Sequence, residues 1–163
     1  GFWRLRTICS IKLCKRRTNL VLLNYFNMEE KMYEHKIQYY ETDKMGITHH
    51  SNYIRFMEEA RVDFLSQIGF PFDKIEAEGI VSPVIRVEYN YRKTTTFADV
   101  ISIDVSVEKI SALKLCLKYE LTCNGEVCGT GKSEHCFLTL EGRPMIVEKE
   151  KPEFFNALKT LEK

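Results

Sequence analysis

An aspartate lies between a strand-like segment and a helix-like segment, where it could act on a carbonyl group. It is Asp43, and a helix is predicted to begin about seven residues later, near His50. The first amides of a helix lack intrahelical partners and carry a partial positive charge, which suits a carbonyl oxygen that becomes anionic. A nearby carboxylate could act as base or nucleophile. The residues alone indicate a candidate acyl-transfer site. The alternative is an ordinary turn residue at Asp43 and a surface residue at His50.

Other catalytic chemistries have less support. His35, His49 and His50 could be imagined around a metal together with Asp43, but two adjacent histidines cannot both point the same way on a regular element. We therefore predict no metal. The sequence has no Gly-x-Ser-x-Gly elbow of the serine hydrolases and no glycine loop of the phosphate-binding type. His135 lies in a strand-like segment and is predicted to have a structural role.

The segments around Asp43 have clear periodicities. Residues 31–40 alternate between apolar and polar side chains, which predicts a strand. Residues 53–68 have apolar side chains at steps of three and four, which predicts an amphipathic helix. Ser51 or His50 is the expected N-cap, and Gly69 lies just past the expected end of the helix.

The rest of the chain is mostly strand-like. Alternation predicts strands at residues 81–91, 101–107, 113–123 and 126–140, with a hairpin turn at Asn124-Gly125 because both residues tolerate positive φ. A short amphipathic helix is predicted from Pro152. Only one long helix is available to cover the sheet, so we predict an α+β fold in which a curved antiparallel sheet wraps around a long central helix. Pairing of exposed sheet edges between copies predicts a homodimer or homotetramer.

Composition excludes several classes of protein. The chain has 163 residues, of which 44% are hydrophobic and 29% are charged, so one folded domain is expected. The formal charge of +1 gives no reason to predict nucleic-acid binding. The longest uncharged stretch, residues 18–27, is shorter than the ~18 apolar residues that a membrane span needs. Six cysteines without a Cys-x-x-Cys pair favour a reducing cytoplasm and no structural metal.

The charge is unevenly distributed. Residues 1–27 contain six basic residues and no acidic one, whereas residues 28–163 have a net charge of −5. We predict that residues 1–27 are a basic leader outside the fold, either disordered or derived from upstream sequence, and that residues 28–163 are a single domain. The alternatives for the leader are a targeting peptide or an arm that binds membranes or nucleic acid.

Residues 42–61 contain a longer motif. It reads Thr42-Asp43-x-x-Gly46-Ile47-x-His49-His50-x-Asn52-Tyr53-x-x-Phe56, followed by Glu58-x-Ala60-Arg61. This motif resembles the active-site signature of the hot-dog-fold acyl-CoA thioesterases of the 4-hydroxybenzoyl-CoA thioesterase family, especially its YbgC-like bacterial branch. The downstream pattern Tyr91-Arg92-x-x-x-x-Phe97-x-Asp99 also matches, so the resemblance spans residues 30–145. Lys36 departs from the family, in which Gln or Arg is common at this position.

The resemblance implies a hot-dog fold and hydrolysis of an acyl-CoA to a free acid and coenzyme A. Asp43 matches the catalytic aspartate of the family. The main-chain N–H of His50 matches the donor to the thioester carbonyl, and the His50 side chain could also touch the substrate. Gly46 matches the glycine that lets the loop pass close to the acyl group. Tyr53 matches a recurrent helix position that we assign to the substrate site and to packing.

Several points stay open at this stage. Glu58 matches another recurrent helix position, for which we expect a packing role. Arg92 and Lys93 are our choices for the coenzyme A phosphates, with solvated surface charges as the alternative. No cofactor is expected, since coenzyme A is part of the substrate. The alternative functions are an acyl-[acyl carrier protein] thioesterase, a non-catalytic acyl-CoA-binding module and, with less support, a hot-dog dehydratase.

Overall fold

The computed structural model describes residues 31–163, and the predicted leader at residues 1–27 lies outside this part of the chain. Within residues 31–163 the strands are β1 (Tyr33–Lys36), β2 (Val84–Tyr91), β3 (Val100–Ile110), β4 (Lys114–Cys123) and β5 (Glu126–Cys136). The α-helices are α1 (Asn52–Gln67), α2 (Phe72–Ala77), α3 (Val147–Glu150) and α4 (Pro152–Thr160). The predicted order of one strand, one long helix and four further strands is confirmed.

The five strands form one antiparallel sheet in the order β1-β3-β4-β5-β2. The long helix connects the two edge strands, β1 and β2, which are the strands farthest apart in the sheet. β4 is central, and its alternate side chains from Leu115 to Cys123 are buried as its period predicts. Asn124 and Gly125 both have positive φ, of 52° and 77°, and connect β4 to β5. The sheet is therefore built largely by local hairpins.

The α1 helix lies against the sheet and contacts β1, β2 and β3. Its three- and four-residue spacing buries one apolar face, made of Tyr53, Phe56, Met57, Ala60 and Leu65. Burial of each large apolar side chain contributes about 1.5–3 kcal/mol, so this face is a main source of stability. Gly131 of β5 allows the close approach, because a Cβ at this position would lie 2.6 Å from Met57 Sδ. No helix among residues 31–163 is long and apolar enough to cross a membrane.

Several predicted boundaries were wrong. The first strand ends at Lys36 rather than Tyr40, because the Glu41 carboxylate accepts the Gln38 N–H at 2.7 Å and closes a 3₁₀ turn over Tyr39–Glu41. The last strand ends at Cys136 rather than at residue 140, because Leu138 instead forms bridges to Val81 and Pro144. The short helices α2 and α3 were not predicted at all.

β2 is an edge strand within this chain. Ile85 and Val87, which alternation placed on an apolar face, are 46% and 41% exposed. An edge strand with exposed apolar side chains is a surface that natural proteins usually cover. The homo-oligomer that the sequence suggests would cover it, and this stays a prediction.

A row of buried polar groups crosses the core between α1 and β5. The Arg61 guanidinium donates to His135 Nδ1 at 3.0 Å, since arginine cannot accept a hydrogen bond. The proton of His135 must then be on Nε2, which donates to Ser133 Oγ at 2.7 Å, and Ser133 bonds the Tyr119 hydroxyl at 2.8 Å. All four residues are at most 5% exposed. Burial and, second, the Arg61 charge lower the pKa of His135 from 6.5 to about 4, which supports the predicted structural role.

This pKa predicts acid sensitivity. Between pH 6.5 and about 4 the unfolded chain binds a proton at His135 that the folded chain does not, so stability is lost as the pH falls through this window. We expect the free energy of unfolding of the wild type to fall by up to about 3 kcal/mol more than that of His135→Gln between pH 7 and pH 4. Urea unfolding at several pH values measures the difference, with His49→Gln as a matched control. If the free energy of unfolding changes equally with pH in the wild type and in His135→Gln, the prediction is wrong.

Candidate active site

Asp43 lies half-buried on the loop between the 3₁₀ turn and α1. The loop folds back on itself, since Asp43 N–H donates to Ile47 O at 2.9 Å and Gly46 N–H donates to Asp43 O at 2.9 Å. The Asp43 carboxylate accepts the Met45 N–H at 2.7 Å through Oδ1. Gly46 has φ of +76°, which a residue with a side chain rarely adopts. Asp43 and Gly46 thus belong to one tight turn, whose shape depends on both.

The loop is anchored to the body of the domain on two sides. On the side of β3, Thr48 N–H donates to Thr95 O at 2.8 Å, and Thr96 Oγ1 donates to Gly46 O at 2.9 Å. On the side of α1, the carbonyl oxygen of Glu41 accepts the His49 N–H and the Asn52 side-chain amide, both at 2.8 Å. One carbonyl therefore connects the chain before Asp43 to the chain at the helix start.

The start of α1 differs in detail from the prediction. Ser51 occupies the N-cap position, but its side chain does not cap the helix. Instead the Ser51 hydroxyl lies 2.9 Å from His49 Nδ1, and the Asn52 N–H donates to His49 O at 3.0 Å. Among residues 31–163, no acceptor is hydrogen-bonded to the His50 N–H. This amide is thus a free donor next to the positive end of a helix of 16 residues.

Three tyrosines form an aromatic wall beside this helix start. We call Tyr53, Tyr89 and Tyr91 the tyrosine cluster: Tyr53 stacks on Tyr89 at 5.0 Å between ring centroids, and Tyr91 meets both rings edge-on. The Tyr91 hydroxyl donates to His50 O at 2.8 Å, and its ring is 54% exposed. The sequence motif contained Tyr91 but did not indicate its contact with the helix start, which depends on the position of β2.

The tyrosine cluster also contains a buried hydroxyl without a partner. Tyr89 Oη is the one buried side-chain polar atom among residues 31–163 that lacks a hydrogen bond. Burial, first of all, raises the pKa of Tyr89, so the hydroxyl carries its proton. Burial likewise raises the pKa of Tyr53, whose hydroxyl lies 2.9 Å from Thr95 Oγ1. Tyr53 is therefore committed to packing, whereas Tyr91 has an exposed ring.

The basic candidates lie just after β2. The amides of Arg92 and Lys93 both donate to Cys128 O at 3.0 Å, which places the backbone of both residues beside the start of β5. Lys93 Nζ forms an ion pair with Glu126, and both side chains are more than half exposed. The structure thus brings Asp43, Gly46 and His50 together on one loop and its helix, with the tyrosine cluster beside them, whereas Lys93 has a partner of its own.

Two further acidic residues lie outside this group. Glu58 is exposed on α1 and lines a groove on the outer side of that helix. Glu41 is 7% exposed although it is an acid, and its carboxylate lies 2.9 Å from His35 Nε2. Sequence reasoning missed Glu41, whose position directly before Thr42-Asp43 was the available signal. Among residues 31–163, no group of three or more histidine, cysteine, aspartate or glutamate side chains is arranged to hold a metal.

Comparison with known proteins adds to this geometry. Residues 37–160 match the model of the thioesterase-like superfamily. A Bacillus subtilis protein provisionally named acyl-CoA thioesterase YneP is 27% identical over 132 residues, which cover 80% of this chain and 96% of that protein. A 1,4-dihydroxy-2-naphthoyl-CoA hydrolase of Prochlorococcus marinus is 28% identical over 107 residues, or 61% of this chain and 69% of that protein. The crystal structure of a DHNA-CoA thioesterase from Staphylococcus aureus superimposes with a TM-score of 0.76 at 32% identity, covering 80% of this chain and 89% of that chain.

Proposed function

Because the chain belongs to the thioesterase-like superfamily and is a thioester hydrolase with the hot-dog fold, we propose that Asp43 and the His50 amide hydrolyse an acyl-CoA. The observation that carries the proposal is the anchoring of both groups through Glu41, whose carbonyl connects the Asp43 loop to the start of α1. An acid and a free helix-terminal donor are thereby held on either side of one short loop. This is the arrangement that acyl transfer requires.

The proposed reaction begins with the thioester carbonyl oxygen accepting the His50 N–H. In one route the Asp43 carboxylate attacks the carbonyl carbon, the carbon–sulfur bond breaks, coenzyme A leaves as a thiolate, and water then hydrolyses the mixed anhydride. In the other, Asp43 takes a proton from a water molecule as that water attacks the carbonyl carbon; the carbon–sulfur bond then breaks, and the proton passes to the leaving thiolate. Both routes end in a free acid and coenzyme A. A lost oxyanion donor costs about 3–4 kcal/mol, whereas a helix dipole contributes about 0.3–2 kcal/mol, so the aimed N–H should matter more.

The test is a panel of acyl-CoA esters assayed for release of free thiol by the full chain. Aromatic, short aliphatic and long aliphatic esters should be included, each matched by the same acyl group on acyl carrier protein. We expect turnover of at least one coenzyme A ester above its carrier-protein counterpart. Preference for the carrier-protein ester would favour the acyl carrier protein alternative. Binding of acyl-CoA without thiol release from any ester would favour a non-catalytic binding module and overturn the proposal.

We further propose that the acyl group is aromatic. The exposed ring of Tyr91 lies directly beside the helix start, where the carbonyl would be held, and a flat aromatic face suits a flat acyl group. The 1,4-dihydroxy-2-naphthoyl-CoA hydrolase among the relatives acts on such an acyl group, which supports this choice.

This proposal predicts that loss of the Tyr91 ring affects the KM of aromatic esters more than that of straight-chain esters. We expect Tyr91→Ala to raise the KM of aromatic acyl-CoA esters by about 10-fold, since a stacked aromatic pair is worth about 0.5–1.5 kcal/mol. The KM of straight-chain esters should change less than about 3-fold. Tyr91→Phe, which keeps the ring and removes the hydroxyl that donates to His50 O, is the matched control and should retain the aromatic preference. An equal rise in KM for both ester classes with Tyr91→Ala would contradict an aromatic site.

A further inference from the structure

His35 lies between two carboxylates that come from different parts of the chain. Its Nε2 is 2.9 Å and 3.1 Å from the two carboxylate oxygens of Glu41, and its Nδ1 is 3.0 Å from Glu59 Oε2. A carboxylate only accepts hydrogen bonds, and a neutral imidazole has only one N–H to donate. Both contacts are hydrogen bonds only when the ring carries two protons. The geometry is therefore that of an imidazolium bridging two acids.

The position of the His35 ring is fixed by packing as well. The ring stacks on Phe56 of α1 with 4.0 Å between centroids, and its side chain is 13% exposed. Across the β1–β3 pair it faces Ile101, which cannot titrate. The ring is therefore held in one orientation, with one nitrogen toward the loop and the other toward the helix.

The charged and titratable neighbours favour a cation at this place. Besides Glu41 and Glu59, the Tyr33 hydroxyl donates to the same Glu59 oxygen at 2.9 Å. Burial and then Glu59 raise the pKa of Tyr33 to about 12, so this hydroxyl stays a donor across the usual assay range. The groove beside Tyr33 and Glu59 is also lined by the acids Glu58 and Asp63 and by the one base Arg55. Acids thus outnumber bases in this groove, and both polar partners of the His35 ring are acids.

Glu41 is hydrogen-bonded both to His35 and to residues at the candidate active site. Its carboxylate accepts both the His35 ring and the Gln38 N–H, and its carbonyl accepts the His49 N–H and the Asn52 side-chain amide. Asp43 follows two residues later. Without His35, Glu41 keeps three of these four contacts and its carboxylate keeps only the Gln38 N–H, so the residue that connects the loop to the start of α1 becomes freer to move.

We propose that His35 is a positioning residue for thioester hydrolysis: as an imidazolium it ties Glu41, next to the Asp43 loop, to Glu59 of α1, and so holds Asp43 and the His50 amide in register. This inference rests on the proposed function. Replacing the ring removes both hydrogen bonds, which frees the Glu41 side chain and breaks its link to Glu59 of α1, so kcat should fall. Displacements of about 1 Å at an active site can cost 10²-fold in rate, so the effect is measurable.

The first experiment tests the array without reference to activity. Long-range ¹H–¹⁵N NMR spectra of the full chain, with His35→Gln used to assign the signals, report the protonation of each ring nitrogen. We expect both ring nitrogens of His35 to carry a proton in the folded wild type, because each nitrogen faces a carboxylate oxygen that can only accept a hydrogen bond. An unprotonated ring nitrogen in the wild type at pH 7 would overturn the inference, whether or not the protein hydrolyses thioesters.

The second experiment tests the link to the reaction. We expect His35→Gln to lower kcat by about 10- to 100-fold while KM changes by less than about 3-fold. Glu59→Ala, a change at a more exposed site, should keep the fold and also lower kcat, because it removes the acceptor that ties His35 to α1. Tyr33→Phe is the matched control, because it removes a hydrogen bond to the same Glu59 oxygen but leaves both His35 bonds intact; its kcat should stay within about 2-fold.

The outcomes separate the two proposals. If no acyl-CoA ester is hydrolysed by the wild type, the proposed function fails, while hydrogen exchange at the His49 amide still reports whether His35→Gln loosens the loop. If the wild type is active and folded Glu59→Ala keeps the wild-type kcat, the positioning role of His35 is wrong and the proposed function stands. Unchanged kcat in folded His35→Gln would have the same meaning.

Discussion

Asp43→Asn is expected to lower kcat for acyl-CoA hydrolysis by about 10²- to 10⁴-fold, which corresponds to about 3–5 kcal/mol of transition-state stabilisation. The reason is chemical rather than structural. Asparagine keeps an oxygen that can accept the Met45 N–H, so the turn that carries the residue is preserved, but the amide can neither take a proton nor attack a carbonyl carbon. The measurement is steady-state release of free thiol, with the substrate that the wild type prefers.

The matched control for this change is Asp99→Asn. Asp99 also accepts a main-chain N–H within a loop, that of Thr96 at 2.8 Å, and the substitution removes the same charge while keeping the same acceptor. Its kcat should stay within about 3-fold of the wild type. If Asp43→Asn hydrolyses the thioester as fast as the wild type does, Asp43 is neither base nor nucleophile. Equal losses in both variants would point to a general effect of negative charge in these loops.

His50→Pro is expected to give the second large effect, a loss of about 10²- to 10³-fold in kcat, because proline has no N–H to offer the thioester oxygen. His50 lies just before the N-cap Ser51, so no hydrogen bond within α1 uses its amide, and proline is compatible with the entry to a helix. The His50 amide has no acceptor among residues 31–163, so the change breaks no hydrogen bond of that part of the fold. The carbonyl of residue 50 remains available to the Tyr91 hydroxyl.

His50→Ala separates the backbone of this residue from its side chain. It keeps the amide and removes the exposed imidazole, so we expect kcat to fall by less than about 10-fold. Thermal unfolding of both variants checks that α1 is intact. A loss with His50→Ala as large as that with His50→Pro would assign the role to the imidazole. Full activity of folded His50→Pro would show that the oxyanion donor lies elsewhere.

The sequence predicted the parts of this protein that depend on neighbouring residues. Alternation gave β4 and its buried face, the three- and four-residue spacing gave α1, and Asn124-Gly125 gave the hairpin. The proximity of Asp43 and His50 could also be predicted, because only a short loop of the chain separates the two residues. These features succeed because the interactions that form them join residues close in sequence.

Other boundaries could not be predicted because side chains competed with the sheet. The apolar alternation of residues 31–40 continues past Lys36, yet the Glu41 carboxylate binds the Gln38 N–H and turns the chain out of the sheet. Hydrophobic alternation indicates the face on which each side chain lies, but it does not indicate which acceptor a backbone amide will bind. The same limit applies to the exposed face of β2, whose burial depends on its place at the sheet edge.

By itself, the sequence determined the helix, the hairpins and the short loop on which Asp43 and His50 lie, because each of these forms within a few residues of chain. Only the tertiary structure brought Tyr91 to the carbonyl of His50, 41 residues earlier, paired Lys93 with Glu126, and placed His35 between Glu41 and Glu59. Those contacts join residues that become neighbours only when strand order, register and the packing of α1 are all set, since a shift of one residue in a strand turns its side chains to the opposite face.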